Sequence, residues 1–434
     1  MQQGRHLLVG ALLVLGYFAG LPPHSGQPLP DFEVPAQAVR SPQVGDVWQE
    51  LTASDANTLL VHAASVAELA DGRLRAVWFA GTREGASDVS INTALFDPKT
   101  GTWSPETVAV SRQQMMTGLG RYVRKLGNAV LSVESDGSMR LFVVTVSFGG
   151  WGASRIAVLE SADQGETWTD PKLLVTTPFA NISNLVKGGP IRYSDGSIGL
   201  PIYHEFLGKF GEVLRLDRDN RVLSKARIGF GRGAIQPVLV VEGPRSATAL
   251  MRNEMSDTSA GIWRSDSQDA GKSWSPLFAA GLENPSAAIS AAQLSPEHWL
   301  VAANCNADER DDLCLKRTDD GGENWYLVKT FHDRASQRAT KVPVDLLLQQ
   351  LSDEVAQDVG VEQLDKVLDH ARRNKCHGEL CEFQYDYPYM LRTRNGDIHI
   401  LYTWNKTLTR HLWWRAGRQP SGQPDELSVS GGAQ

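Results

Sequence analysis

Cysteine, clustered positive charge and long apolar runs are what this chain has least of. Its 434 residues hold 4 cysteines, and 43 Lys and Arg stand against 50 Asp and Glu, a formal net charge of −7. Without a basic cluster, nucleic acid is not expected as a partner, because phosphate binding needs a concentrated positive field. No run of eighteen or more apolar residues occurs outside the N-terminus, which excludes a polytopic helical membrane protein. Charged residues make up only 21% of the chain, beside 40 Gly and 12 Trp, so it is not a disordered acidic polymer. The length suits two or three domains, or one large β architecture of the propeller or barrel type.

At the N-terminus, Arg5 and His6 precede an apolar run from Leu7 to Leu21, the form of an export signal. Phe18-Ala19-Gly20 puts a bulky residue where cleavage prefers a small one, so residues 1–21 are read either as a cleaved signal or as a retained anchor. That anchor would be the chain's sole membrane contact, at the inner membrane. The expected location is otherwise the periplasm or the extracellular space. Pro22-Pro23 and the Pro-rich stretch to Pro42 make residues 22–45 a linker. In an oxidising compartment the sequence neighbours Cys305/Cys314 and Cys376/Cys381 read as two local disulfides, although four cysteines allow three pairings. His377 adjoins Cys376, but Cys-x4-Cys and Cys-x8-Cys match no common zinc pattern well, and no metal or cofactor is expected.

Internal repeats carry the architecture. An apolar strand, a tight turn and an alternating strand recur around Asp71-Gly72, Asp136-Gly137, Asp195-Gly196 and Asn395-Gly396. Asp-Gly and Asn-Gly favour hairpins because both residues tolerate the positive φ that such turns need. Degenerate copies turn near Pro244-Arg245 and Pro296-Glu297. Six such units predict an all-β, six-bladed β-propeller over residues 46–418, with a flexible tail at 419–434.

A second motif agrees with the first. Ser161-Ala-Asp163-Gln-Gly165-Glu-Thr167-Trp168 recurs as Ser267-Gln-Asp269-Ala-Gly271-Lys-Ser273-Trp274, and with two substitutions as Thr318-Asp-Asp320-Gly-Gly322-Glu-Asn324-Trp325. A looser copy ends at Trp103. Asp and Ser accept local backbone hydrogen bonds, Gly supplies the sharp turn, and Trp fills the space between sheets. These Asp-box turns are structural. An insertion in the last blade, residues 336–382, places Leu346, Leu347, Val355, Val359, Leu364, Val367 and Leu368 at helical spacing. It is read as one or two amphipathic helices with a break at Gly360: a solvated decoration, or alternatively a lid or partner surface.

With these boxes and this blade count, the chain resembles the sialidase (neuraminidase) superfamily, in particular bacterial sialidase-like proteins with bacterial neuraminidase repeats. The likeness runs from about Gln49 to Trp414. Equivalent strand starts should converge on the propeller axis, and counting back from each turn gives His62, Asn128, Lys187, Gln236 and Tyr387. The resemblance implies Tyr387, in Asp386-Tyr387-Pro388-Tyr389, as the nucleophile. It implies Asp88, in Arg83-Glu84-Gly-Ala-Ser-Asp88, as the acid/base, with Glu84 competing. Arg252 and Arg310 match the family's second and third carboxylate-binding arginines, and Arg83 is a further contact. Guanidinium forks suit a planar carboxylate.

Two positions depart from the family pattern. His62 stands where the first arginine belongs, and Gln236 stands where a glutamate partners the tyrosine. Glu205, beside Tyr203 and His204, is the substitute carboxylate, with Glu254 next. Trp151 and Trp404 could either stack on sugars or pack between blades. The resemblance thus implies a glycoside hydrolase: an exported exo-glycosidase acting on a terminal acidic sugar by a retaining mechanism. The departures lean towards an eliminase on uronate-containing polysaccharide, with His62 or His204 as base. The third alternative is a non-catalytic glycan-binding propeller. In each case the partner is a glycan or acidic polysaccharide.

Overall fold

The computed structural model describes residues 28–34, 40–177, 181–206, 208–255, 261–333 and 341–417. The expected export signal at 1–21 and the tail from 419 lie outside them. Among the described residues the chain forms six antiparallel sheets of four or five strands and one small sheet of three. The six larger sheets begin at Leu60–Glu68, Lys125–Val133, Leu185–Val186, Ala234–Val241, Ser290–Ser295 and Tyr385–Arg392. These first strands touch in a closed circuit, the third sheet joining through Leu185–Val186 on one side and Ile198–His204 on the other. The sixth sheet is completed by Gln49–Thr52, which pairs antiparallel with Leu408–Trp414, so a strand from before the first sheet closes the circuit with the last strands.

The hairpin turns form as their residues dictate. Gly72, Gly137, Gly196 and Gly396 have φ between 79° and 91°. In each turn the preceding Asp or Asn accepts the backbone N–H two residues on: Arg73, Ser138, Ser197 and Asp397. The three boxes share one geometry at the same end of the sheets. Ser161, Ser267 and Thr318 hydroxyls accept the N–H of Gly165, Gly271 and Gly322 at 2.8, 2.9 and 2.9 Å. The box carboxylates accept the N–H of Thr167, Ser273 and Asn324. Hydrogen bonds from Thr167, and from Asn324, hold Asp163 and Asp320 down at about 2. The box tryptophans pack between sheets: the Trp325 indole donates to Ala280 of the preceding sheet, and Trp168 and Trp274 lie against apolar clusters spanning two sheets.

Two stretches differ from the sequence reading. Part of the expected linker is fixed: the Phe32 and Glu33 N–H groups donate to Pro244 and Arg192, and the buried Phe32 ring packs on Tyr193. Between the fifth and sixth sheets lie two helices, Val344–Val355 and Val361–Lys375. They are not a solvated decoration. Leu347, Leu351, Val355, Val359, Val367 and Ala371 are buried in the cluster that also holds Leu313, Tyr402 and Trp414, while Leu346 faces out. Glu354 fixes the first helix by accepting from the Tyr385 hydroxyl and the Trp404 indole, both at 2.7 Å. Trp404 is therefore inter-element packing. Cys376 and Cys381 pair in the small sheet, and Cys305 and Cys314 pair beside the fifth.

Candidate active site

At the end of the circuit away from the boxes, four of the six first strands break register at equivalent places. The breaks fall at His62/Ser65, Leu126/Ala129, Ile235/Val238 and Asp386/Tyr389. Each is a bulge, and in three of them a residue with a side chain takes the left-handed conformation: Ala63 (φ 55°), Gln236 (φ 54°) and Tyr387 (φ 53°). Such a conformation costs about 1–3 kcal/mol per residue and persists only where surrounding structure imposes it. Bulges re-aim side chains. Here they bring His62, Asn128 and Tyr387 into one axial pocket of about 180 Å³, lined also by Glu84, Trp151, Tyr203, Glu205 and Arg252.

The pocket's polar groups are tied across sheets. Gln236 donates through Nε2 to Tyr387 Oη at 3.1 Å and to Tyr203 Oη at 3.4 Å. Its Oε1 faces Arg252 Nη1 at 3.5 Å, which fixes the amide's orientation. Arg252 donates to Ser286 Oγ from Nε and Nη2 at 3.1 and 3.0 Å, and pairs with Glu254 at 2.6 Å. Arg310 donates to the Ser286 carbonyl and pairs with the fully buried Asp386 at 2.9 Å. Ser286 thus joins the two arginines. The His62 ring lies 4.1 Å, centre to centre, from Tyr387, and its Nδ1 meets Thr403 Oγ1 at 3.0 Å.

Burial sets the resting protonation states. It pushes the Tyr387 phenol above its usual value, partly offset by Arg252 and the Gln236 hydrogen bond, so the phenol is neutral at rest. Burial, reinforced by Glu254, raises Glu205 and favours its protonated form. Burial also lowers His62 to about 4, against the pull of Asp386 and Glu84. The imidazole is therefore neutral near pH 7. Burial opposes ionisation of Asp386, but His62 and Arg310 hold it below its ordinary value.

Not every anticipated residue arrives. Asp88 lies on the exposed 82–88 loop, where it accepts from the Thr82 N–H and hydroxyl at 3.0 Å, outside the pocket lining. Arg83 is exposed on the same loop. Strand alternation sends His204 away from its neighbours Tyr203 and Glu205, onto Phe210 and Glu212. Lys187 lies on the box side of the axis, where its Nζ donates to Pro388 O at 2.7 Å. Ser286, Asp386 and Thr403 were missed. Asp386 carried a usable signal, a charge inside an apolar strand start; Ser286 and Thr403 carried none.

These features define a class before any comparison: an all-β circuit with a polar axial pocket, capable of binding an anion and moving protons. Residues 72–400, more than half of the chain, match the BNR repeat-like domain, and the chain belongs to that family. Among curated proteins none matches. Solved structures share the fold. The Hadza microbial sialidase Hz136 is 14% identical at TM-score 0.60, over 84% of this chain and 67% of that one. The intramolecular trans-sialidase of Ruminococcus gnavus is 12% identical at TM-score 0.55, over 87% and 97%. A protein of unknown function from Dyadobacter fermentans is 12% identical at TM-score 0.60, over 86% and 100%. The chain has the propeller fold of these sialidases.

Proposed function

We propose that the chain is an exported, six-bladed glycosidase that removes a terminal acidic sugar from a glycan, with the two helices as an insertion in its last blade. The reading rests on one observation: Tyr387, Glu205, Arg252 and Trp151 share a single axial pocket. Arg252 would face the sugar carboxylate, and Trp151 would form the apolar wall. Glu205, raised by burial, gives its proton to the departing glycosidic oxygen while Tyr387 Oη bonds to the anomeric carbon. The phenolic proton passes to Glu84, the second carboxylate of the lining. Water then cleaves the glycosyl–tyrosine bond, giving its proton to Glu205, while Glu84 returns its proton to the departing Tyr387 oxygen. Glu205 takes the acid role that the resemblance implied for Asp88, because Asp88 lies outside the lining.

A second reading, elimination from a uronate glycan, draws support from the pair of departures. Gln236 donates to Tyr387 and cannot accept its proton, while a neutral His62 lies against the same ring. There His62 would take the proton α to the carboxylate and Tyr387 would protonate the leaving oxygen. Incubating the purified chain with fluorogenic acidic-sugar glycosides and with uronate polysaccharides separates the two. Release of a free acidic sugar, lost in Tyr387→Phe, supports hydrolysis. An ultraviolet-absorbing unsaturated uronate supports elimination. Binding without any product reduces the chain to a glycan-binding propeller.

A further inference from the structure

The axial pocket has an asymmetric mouth. Between Thr107 and Val133 the chain carries Arg112, Arg121, Arg124 and Lys125 but no Asp or Glu, and between Ser138 and Leu159 it carries Arg140 and Arg155, again with no acid. In an acidic protein this is a local reversal of charge. The fold stacks the two stretches at the mouth end of the second sheet. Arg124 donates to Gly149 O at 3.4 Å, in the loop that bears Trp151. Lys125 Nζ lies 3.7 Å from the centre of the Trp151 ring. Trp151 in turn rests on Gly127, where a Cβ would come within 2.8 Å of the ring. Arg155 donates to Asn181 O at 2.8 Å, and Arg121 is close enough to depress its basicity further, after burial. Among the described residues, Arg121, Arg124, Lys125 and Arg155 are in no ion pair. Arg140, by contrast, pairs with Glu134, and Arg252 with Glu254. The carboxylates that act on Lys125, Glu84 and Glu205, come from the neighbouring sheets and belong to the pocket, and Asp170 lies against Gly118 at the end of the preceding helix. Two exposed aromatic rings, Tyr122 (60% accessible) and Phe148 (64%), belong to the same loops.

Unpaired like charges held together are costly unless an anion joins them. Apolar ring faces beside cations suit a ligand that is both anionic and carbohydrate. Because this surface continues the wall formed by Trp151, its ligand is the continuation of whatever occupies the pocket. We infer that Arg121, Arg124 and Arg155, with Tyr122 and Phe148, form a second subsite that takes the next acidic sugar of a polyanionic glycan. The substrate is then a run of consecutive acidic sugars, not one acidic cap on a neutral chain. This inference rests on the acidic-sugar reading of the pocket and adds the class of polymer.

The test is calorimetric titration of the full-length Tyr387→Phe chain with paired ligands: the methyl glycoside of sialic acid against its α2,8-linked dimer, and galacturonate against its α1,4-linked dimer. In one series the dimer should bind about tenfold tighter than the monomer. Arg121→Gln with Arg124→Gln, both outside any strand or helix, should cut that advantage to below about threefold, whereas Arg155→Lys, which keeps the charge, should retain it. Equal affinities for monomer and dimer, or an advantage that survives the double substitution, would overturn the second subsite. If monomer binding still falls in Arg252→Ala, the reading of the pocket stands without it. If no acidic sugar binds, both fall. An oligonucleotide dimer that binds as tightly as the sugar dimer, independently of Arg252, would show a generic anion patch and overturn the assignment to glycan.

Discussion

The two ends of the sheet circuit are built on opposite plans. At the box end the chain repeats itself: three turns use Ser or Thr, Asp and Gly in the same geometry, and every key bond lies within eight residues. At the mouth each sheet contributes a different set of side chains. Partners come from distant segments there, as in Tyr387 with Gln236, Arg310 with Asp386 and His62 with Thr403. Local redundancy makes the box end a scaffold that tolerates substitution in any one copy. The mouth has no redundancy, and its bulges hold Gln236 and Tyr387 in a strained conformation. Repetition carries the fold, and departure from repetition shapes the pocket.

The sharpest contrast should come from one substitution at each end. Tyr387→Phe removes a single oxygen from the mouth; turnover of an acidic-sugar substrate should fall on the order of 10³-fold while the urea midpoint barely moves. Activity that survives this change would erase the distinction between the ends. Gln236→Glu offers the reverse experiment, since it supplies an acceptor for the phenolic proton. Hydrolysis should rise about tenfold, whereas an eliminase that needs Tyr387 as a proton donor should slow.

The pH profile separates the ends in a second way. In the proposed mechanism Glu205 is an acid only while protonated, so kcat should decline as pH rises through its elevated value, and Glu205→Gln should remove that limb. Stability should move with the buried histidines. His62 and His399 are held down to about 4 and about 3, below the 6.5 of the unfolded chain. Their contribution is complete above pH 6.5 and is lost as pH falls towards those values, because the unfolded chain then binds protons that the folded one refuses. His62→Gln should flatten part of that decline in a series of denaturant midpoints. The smallest effect belongs to the box end: Ser161→Ala frees the Gly165 N–H and should cost about 1–2 kcal/mol with unchanged kcat. A large loss of activity there would contradict a purely structural box.

The same contrast explains what could be read from the chain in advance. Asp-Gly turns and boxes are local, so their spacing predicted the sheets. Counting back from the turns also reached His62, Asn128, Gln236 and Tyr387, because the bulges recur at equivalent depth in the repeat. Lys187 failed that count: the third sheet's first strand is only Leu185–Val186 and lacks the bulge that would aim position 187 at the pocket. Asp88 failed because its loop folds back on Thr82. Ser286 and Asp386 were invisible as partners, since the contacts that matter join segments 24 to 76 residues apart. The helices were legible by period, but their burial was not; Leu351, rather than Leu346, faces the core.

Rapid quench of the wild-type chain with an activated acidic-sugar glycoside, followed by intact-mass and peptide analysis, tests the central claim most directly. A transient gain of one sugar on the peptide bearing Tyr387, absent from Tyr387→Phe, is the predicted result. Turnover with no adduct, or with an adduct at any other residue, would contradict the assignment of Tyr387 as the attacking group.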